Sequence, residues 1–268
     1  MTKVIAAIDS SVAARPVLAT ARALAVLLGA EVEALYVGGD DGRVPRSEAE
    51  AAGLDLRTEP GPVVERLIDV GTEDDVVALV LGARGTPLVR RPLGSTALAV
   101  ATSLPKPVVV VPPDAHDPET LRRVLVPLEE SVSASVAPRV VLELAAGVEL
   151  DVVVLHVFDE ESIPPFTDQP QHEGPAWAAE FLARYCPSGL RTVQLEVRVG
   201  RTEDLVPLVA EEIGADMVVL GWAQELAPGR APVVRSALGR ARIPILLVPV
   251  RPAAPLGASA GRSESWSA

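Results

Sequence analysis

Short runs of β-branched and other apolar residues alternate along the chain with longer segments rich in Ala and Leu. In the first half the short runs are VIAAI (4–8), EVEALYV (31–37), LDLRT (54–58), VVALVL (76–81) and VVVV (108–111). Helical patterning lies between them, at 12–29, 63–71 and 96–104. Strands and helices in alternation are typical of parallel crossovers, and near-continuous apolar strands are typical of sheets buried on both faces. The pattern predicts five parallel strands with flanking helices.

The second half of the chain repeats the first. VIAAIDSS (4–11) recurs as VLVPLEES (124–131), and PVVVVP (107–112) recurs as PILLVP (244–249). The second set of predicted strands is 124–128, 151–157, 192–197, 216–221 and 245–248, with helices at 133–146 and 205–213. A repeat of this length indicates two copies of one structural unit. We predict an α/β fold of two tandem, open-twisted five-stranded parallel sheets with flanking helices, which is a Rossmann-like arrangement.

Composition divides the chain further. The predicted units are 1–113 and 124–250, each of ordinary domain size. Residues 114–123 are rich in proline and charge without apolar periodicity, which predicts a linker. Residues 251–268 are mostly Ala, Gly, Ser and Pro, which predicts a disordered tail.

The net charge of the chain and the length of its apolar runs limit the classes of partner that the protein can have. The formal net charge of -12 disfavours nucleic acid and anionic membrane surfaces. A single cysteine excludes an internal disulfide, and no apolar run reaches the ~20 residues that cross a bilayer. The N-terminal residues do not resemble a secretory signal, so we expect a cytoplasmic protein.

The loop after the fourth predicted strand carries the sharpest chemical signal. In open parallel sheets, ligands bind beyond the carboxyl ends of the strands. Gly82 and Gly85 allow close backbone approach, and Gly94-Ser95-Thr96 begins a helix whose amide groups attract anions. Three arginines add positive charge: Arg84, Arg90 and Arg91. A polyphosphate ligand is predicted, and the alternative is a structural turn in which the Ser and Thr hydroxyls only cap the helix.

Three features are the strand-ending Asp9, the Gly-x2-Gly…Gly-Ser loop and the closing run 107–112. Together they resemble the universal stress protein family, which has the adenine-nucleotide α-hydrolase type of fold. Nucleotide-binding members of that family carry Gly-x2-Gly-x9-Gly-(Ser/Thr), whereas eight residues separate Gly85 from Gly94 here. The resemblance implies ATP as the ligand, with a divalent cation such as magnesium.

The resemblance also implies a role for each site residue. The adenine and ribose end would be held by Ala7, Ile8 and Asp9, the adenine pocket lined by Val37 and Leu81, and the ribose and phosphates bound by Gly82, Gly85, Gly94, Ser95 and Thr96.

The second unit lacks most of these features. Alignment of the closing strands places Ala231 at the position of Gly94 and Pro232 at that of Ser95. Gln224 stands in the place of Gly85, and Glu129 replaces Asp9. Proline has no N–H to donate, so we predict no phosphate site there. The resemblance implies that this unit is a built-in partner of the first, an intrachain pseudo-dimer, and leaves a further homodimer open.

The leading function is therefore an ATP-binding stress-response regulator whose state is read by an unidentified protein partner. The first alternative is a structural or regulatory interaction protein with both sites empty, which the shortened loop favours. The second is an enzyme, for which the sequence offers no general base or nucleophile. The three histidines have no ligand spacing, and His156 is interpreted as a strand residue. Hydrolysis of ATP would be slow at most.

Overall fold

The computed structural model describes residues 1–83, 94–128, 150–158, 175–185, 193–227 and 230–250. The strands of the first half are β1 Lys3–Ala7, β2 Glu31–Val37, β3 Leu56–Glu59, β4 Val76–Gly82 and β5 Val108–Val111. Those of the second half are β6 Arg123–Leu128, β7 Asp151–Phe158, β8 Val193–Val199, β9 Met217–Trp222 and β10 Ile245–Pro249. The described helices are α1 Ala14–Leu28, α2 Arg43–Ala51, α3 Val63–Gly71, α4 Ser95–Ser103, α5 Pro175–Tyr185, α6 Thr202–Glu212 and α7 Pro232–Arg240. The predicted helix 133–146 and the predicted tail 251–268 lie outside the described residues.

All ten strands form one sheet, in the order β3-β2-β1-β4-β5-β10-β9-β6-β7-β8. Neighbouring strands within each half are parallel, as the alternating pattern predicts. The predicted α/β architecture is confirmed, with the order 3-2-1-4-5 in the first half and its equivalent in the second. Separate sheets were expected, however, and the structure joins them.

The junction is the pair β5 and β10, which is antiparallel, with Val110 opposite Ile245 and Val108 opposite Leu247. Both strands are the last of their half and both are buried apolar runs. An apolar edge strand with unpaired backbone groups is unstable in water, so pairing the two edges satisfies both at once. Because the pair is antiparallel, the carboxyl ends of the strands face opposite edges of the sheet in the two halves.

The core lies on both faces of this sheet. One apolar cluster contains Val4 and Ala6 of β1, and a second contains Ile5 between them. Each cluster also includes residues of the second half, such as Val126 in the first and Leu125 in the second. Each cluster therefore continues from one half into the other. Because both faces of the sheet are covered, the strands lack polar alternation.

Two segments differ from the sequence-based expectation. The predicted linker is packed: Ala115 and Leu121 are buried, and Asp117 Oδ2 lies 2.6 Å from Arg15 Nε of α1. Helix α2 was not predicted, because it is polar overall and only Pro45 and Ala49 of its nine residues are buried.

Candidate functional site

A cavity of about 510 Å³ lies at the carboxyl ends of β1 and β4. The chain order reverses between these two neighbouring strands, since β1 continues towards β2 and β4 continues towards β5. Nine of the eleven predicted site residues line it: Ala7, Ile8, Asp9, Val37, Leu81, Gly82, Gly94, Ser95 and Thr96. The other two, Arg84 and Gly85, lie outside the described residues. The volume is typical of a small-molecule site.

One wall of the cavity is apolar. Leu35 and Val37 of β2 and Leu81 of β4 are buried there, and Val63 and Leu67 of α3 complete the wall. Aliphatic side chains on strand ends and on a packed helix hold little water, so this wall suits a planar, weakly polar ring.

The opposite wall is the N-terminal end of α4. Gly94 is the N-cap residue, with φ −59 and ψ 148, and its N–H donates to the carbonyl of Ala83 at 3.0 Å. This bond ties the end of β4 to the start of α4. The first intrahelical bond runs from the N–H of Leu98 to the carbonyl of Gly94, also 3.0 Å. The amides of Ser95, Thr96 and Ala97 therefore have no acceptor within the helix.

These amides give the wall its chemistry. They sit at the positive end of the helix dipole and line the cavity, so they can donate to an anion there. The capping alternative for the hydroxyls is not what the structure shows: the N-cap is Gly94, and no side chain caps α4. Ser95 and Thr96 occupy the first helical turn instead.

Asp9 closes the third side of the cavity, in the turn between β1 and α1. Its Oδ1 accepts a hydrogen bond from the N–H of Ser11 at 2.9 Å, and Ser11 Oγ accepts one from the N–H of Ala13 at 3.3 Å. The N-cap of α1 is Ala13, so Asp9 shapes the turn and does not cap the helix. Its side chain is exposed at the mouth.

Acidic residues follow the end of β2, near the cavity. Tyr36 Oη donates to Asp40 Oδ1 at 2.5 Å, and the N–H of Gly42 donates to the same oxygen at 3.1 Å. The hydrogen bond to Asp40 raises the pKa of Tyr36, and the negative charges of Asp40, Asp9 and Asp41 raise that pKa further. The same hydrogen bond lowers the pKa of Asp40. Asp9, which lines the cavity, is close enough to this group for its charge to act on Tyr36, so negative charge lies near this side of the site.

Sequence reasoning missed part of the cavity. Ser11 and Ala13 line it from the turn before α1, and Val63 and Leu67 line it from α3. A signal for α3 was available, because a helix that follows a strand at the same sheet edge begins beside the neighbouring strand ends.

A family model described as the universal stress protein family matches residues 42–112 and 120–249, more than half of the chain. The chain belongs to the universal stress protein family. A comparison with curated protein sequences found no match.

Comparison with solved structures gives several matches at low sequence identity. A universal stress protein from Archaeoglobus fulgidus DSM 4304 is 18% identical, with a TM-score of 0.64 over 92% of this chain and 98% of that one. A functionally unknown protein from Pseudomonas aeruginosa PAO1 is 13% identical, with a TM-score of 0.65 over 93% of each chain. A universal stress protein in complex with cAMP is 20% identical and matches 48% of this chain and 97% of its own, with a TM-score of 0.39. At these identities the likeness concerns the fold.

The second universal stress protein unit departs from the first at the equivalent loop. The sheet register places Gly221 opposite Val248 as Gly82 lies opposite Val111, so these two glycines occupy equivalent strand ends. Helix α7 begins with Pro232 after the N-cap Ala231, so its first turn has one amide donor fewer than α4. The absence of a phosphate site in this unit stays a prediction.

The remaining features that bear on possible sites are His156, metal-binding groups and membrane-spanning helices. Buried His156 lies between aromatic rings, with centroids 4.6 Å from Phe158 and 4.8 Å from Phe181, as expected of a strand residue in the core. Across the described ranges, no three His, Cys, Asp or Glu residues are grouped so as to hold a metal. Within the same part of the chain, no helix combines the length and apolarity required to span a bilayer.

Proposed function

We propose that this protein binds ATP, or a related adenine nucleotide, in the cavity of its first unit and acts as a stress-response regulator. The observation that carries the proposal is the set of α4 amides on Ser95, Thr96 and Ala97, which have no helical acceptor and face a buried apolar wall. A nucleotide needs both surfaces, because its base is planar and weakly polar and its phosphates are anionic.

The residues divide between the two ends of the ligand. Val37 and Leu81 would contact the base, and the backbone of Ala7 and Ile8 with the Asp9 carboxylate would hold the base and ribose. The phosphates would lie against the amides of α4. Gly82 and the predicted Arg84 and Gly85 would approach them from the loop that follows β4.

The charge distribution sets the orientation of the ligand. Asp9 lines the cavity and repels phosphates, whereas the positive end of α4 attracts them. We therefore expect the phosphates to lie at α4.

Magnesium would be held chiefly through the phosphates. Mg²⁺ usually keeps several waters and takes one or two protein oxygens beside substrate phosphates. The exposed Ser95 hydroxyl and the half-buried Thr96 hydroxyl in the first turn of α4 are suitable oxygens. The bound cation would partly neutralise the negative charge of the phosphates.

The test is calorimetric titration of the full chain with ATP and magnesium, beside the double variant Gly94→Asp, Ser95→Ala. We expect saturable binding at one site per chain in the wild type and loss of it in the variant. The matched control is Ala231→Asp, which places the same charge at the N-cap of α7 in the second unit. Binding that survives the first variant and disappears in the control would assign the site to the second unit.

A second candidate function is a regulatory interaction protein with an empty cavity. The eight-residue spacing between Gly85 and Gly94, one short of the family pattern, favours it. No heat and no thermal shift at millimolar ATP would establish this alternative. A protein partner, a cytoplasmic location and pairing into a homodimer are predictions under either function.

A further inference from the structure

One contact links the degenerate loop of the second unit to the helix that forms the proposed phosphate wall of the first. The Gln224 Nε2 group donates to the carbonyl of Ala101 at 3.0 Å and to the carbonyl of Leu104 at 2.7 Å. Ala101 lies in the last turn of α4, and Leu104 is its C-cap. The contact joins residues more than a hundred positions apart in sequence.

The chemistry of the contact is specific to an amide. The last carbonyls of a helix have no intrahelical partner and carry its negative end, so they need a donor. A glutamine NH₂ group has two N–H bonds, one for each carbonyl. Gln224 also holds a φ of 58, in the left-handed region that glutamine rarely adopts. Such strain persists only where the surroundings maintain it, and it is typical of positions with a specific task.

The internal repeat shows which residue of the first unit is equivalent to Gln224. Counted from the equivalent strand ends Gly82 and Gly221, Gln224 corresponds to Gly85, which is predicted to contact the phosphates in the first unit. In the second unit the same position reaches across the β5–β10 junction and contacts α4.

Helix α4 can transmit this contact to the cavity. Near its C-terminal end, Val100 and Leu104 are fully buried and Ala101 is 1% exposed, so this part packs firmly against the sheet. The residues at its N-terminal end, whose amides have no acceptor within the helix, line the cavity. A nine-residue helix is a rigid element, so a change in the direction of one end moves the other.

We infer that Gln224 is a positioning residue: it holds the C-terminal end of α4 so that the N-terminal amides face the cavity, and it makes phosphate affinity in the first unit depend on the second. This inference rests on the proposed function. It also explains why a unit without the small residues of the phosphate loop still serves the site.

The test compares ATP affinity in three variants of the full chain. Gln224→Gly removes both hydrogen bonds but relieves the left-handed backbone, so its thermal stability should stay near that of the wild type. Gln224→Glu keeps the shape, replaces the donor by an acceptor and places a negative charge at the negative end of α4. Ser236→Ala is the control, because it removes a 2.5 Å bond to the carbonyl of Glu203 within the second unit.

We expect at least about fivefold weaker ATP binding in Gln224→Gly, the lower limit of ordinary coupling between sites, and a larger loss in Gln224→Glu. Ser236→Ala should bind as the wild type does, even where it melts at a lower temperature. A Gln224→Gly variant with unchanged affinity would overturn the inference. Affinity that merely follows melting temperature across all three variants would overturn it as well, because the role would then be structural.

Amide hydrogen exchange on the ligand-free chain separates this inference from the proposed function. The amides of Leu98 to Ser103 should exchange faster in Gln224→Gly, and those of α6 and α7 should not change. If the wild type fails to bind ATP, the proposed function fails, and the exchange result alone decides whether Gln224 positions α4. Unchanged exchange in α4 would refute the positioning role.

Discussion

The substitution Gly94→Asp should raise stability and remove phosphate binding at the same time. Gly94 is an N-cap residue with φ −59 and ψ 148, a conformation that aspartate adopts without strain. Its carboxylate can accept a hydrogen bond from the free amides of α4, which the glycine leaves available. The same carboxylate would occupy the place where a phosphate would bind.

The magnitudes follow from the geometry. Replacing glycine by aspartate at an N-cap gains a few tenths of a kcal/mol, and the charge at the helix N-terminus adds about 0.3–1 kcal/mol. A total of about 0.5–1 kcal/mol raises the melting temperature of a domain of this size by roughly 1–4 °C. Against this, two charges about 4 Å apart repel by about 4 kcal/mol near a protein surface. Gly94 is half-buried and water screens part of that energy, so we expect at least about tenfold weaker binding.

Differential scanning fluorimetry measures the first effect and calorimetric titration with ATP and magnesium measures the second. Ala231→Asp, at the equivalent cap of α7, controls for charge at a helix N-terminus elsewhere in the fold. A variant that melts at a higher temperature and still binds ATP with wild-type affinity would refute the reasoning, because the α4 amides would then be capped and the phosphates bound elsewhere. A lower melting temperature would refute the capping argument instead.

Three further predictions concern stability. In Gly38→Ala the new Cβ would overlap the Tyr36 ring and its hydroxyl, so the ring must move and urea denaturation should show a loss of about 1–3 kcal/mol; an unchanged midpoint would contradict this packing. The ion pair with Lys3 lowers the pKa of Asp75, so the pair stabilises the fold above the unfolded carboxyl pKa and is lost as pH falls through the lowered pKa. Asp75→Asn should therefore flatten the acid side of the stability profile in thermal melts at stepped pH, and parallel profiles would argue against the pair. The Thr20 hydroxyl is fully buried and finds no hydrogen-bond partner in the described part of the chain, so Thr20→Val should stabilise the fold by about 1 kcal/mol in denaturant titration, whereas destabilisation would indicate a hidden partner.

Much of the fold was predictable from local pattern. Apolar runs such as VVVV (108–111) are strands because β-branched residues pack well on a pleated surface, and their lack of polar alternation indicates burial on both faces. The internal repeat then predicts the same topology twice. Helix α2 was not predicted because it is a polar surface helix with only two buried residues, so it has no apolar run to mark it.

The candidate site was predictable for a similar reason. Residues far apart in sequence, such as Asp9 and Ser95, meet because the carboxyl ends of parallel strands share one edge of the sheet. This rule can be applied once the strands have been assigned from the sequence. The turn made by Ser11 and the wall made by Val63 depend on how each connection packs, and the pattern of the strands does not specify them.

The sequence by itself determined the strands, the repeat and the residues that follow the strand ends, because each depends on interactions between near neighbours or on a general rule of parallel sheets. Only the tertiary structure decided that β5 pairs with β10 and that Gln224 contacts α4. These contacts pair the apolar edge strand of one half with that of the other, and two carbonyls at the end of α4 with an amide donor distant in sequence. Their selection depends on the burial that the whole fold achieves, and local sequence does not encode it.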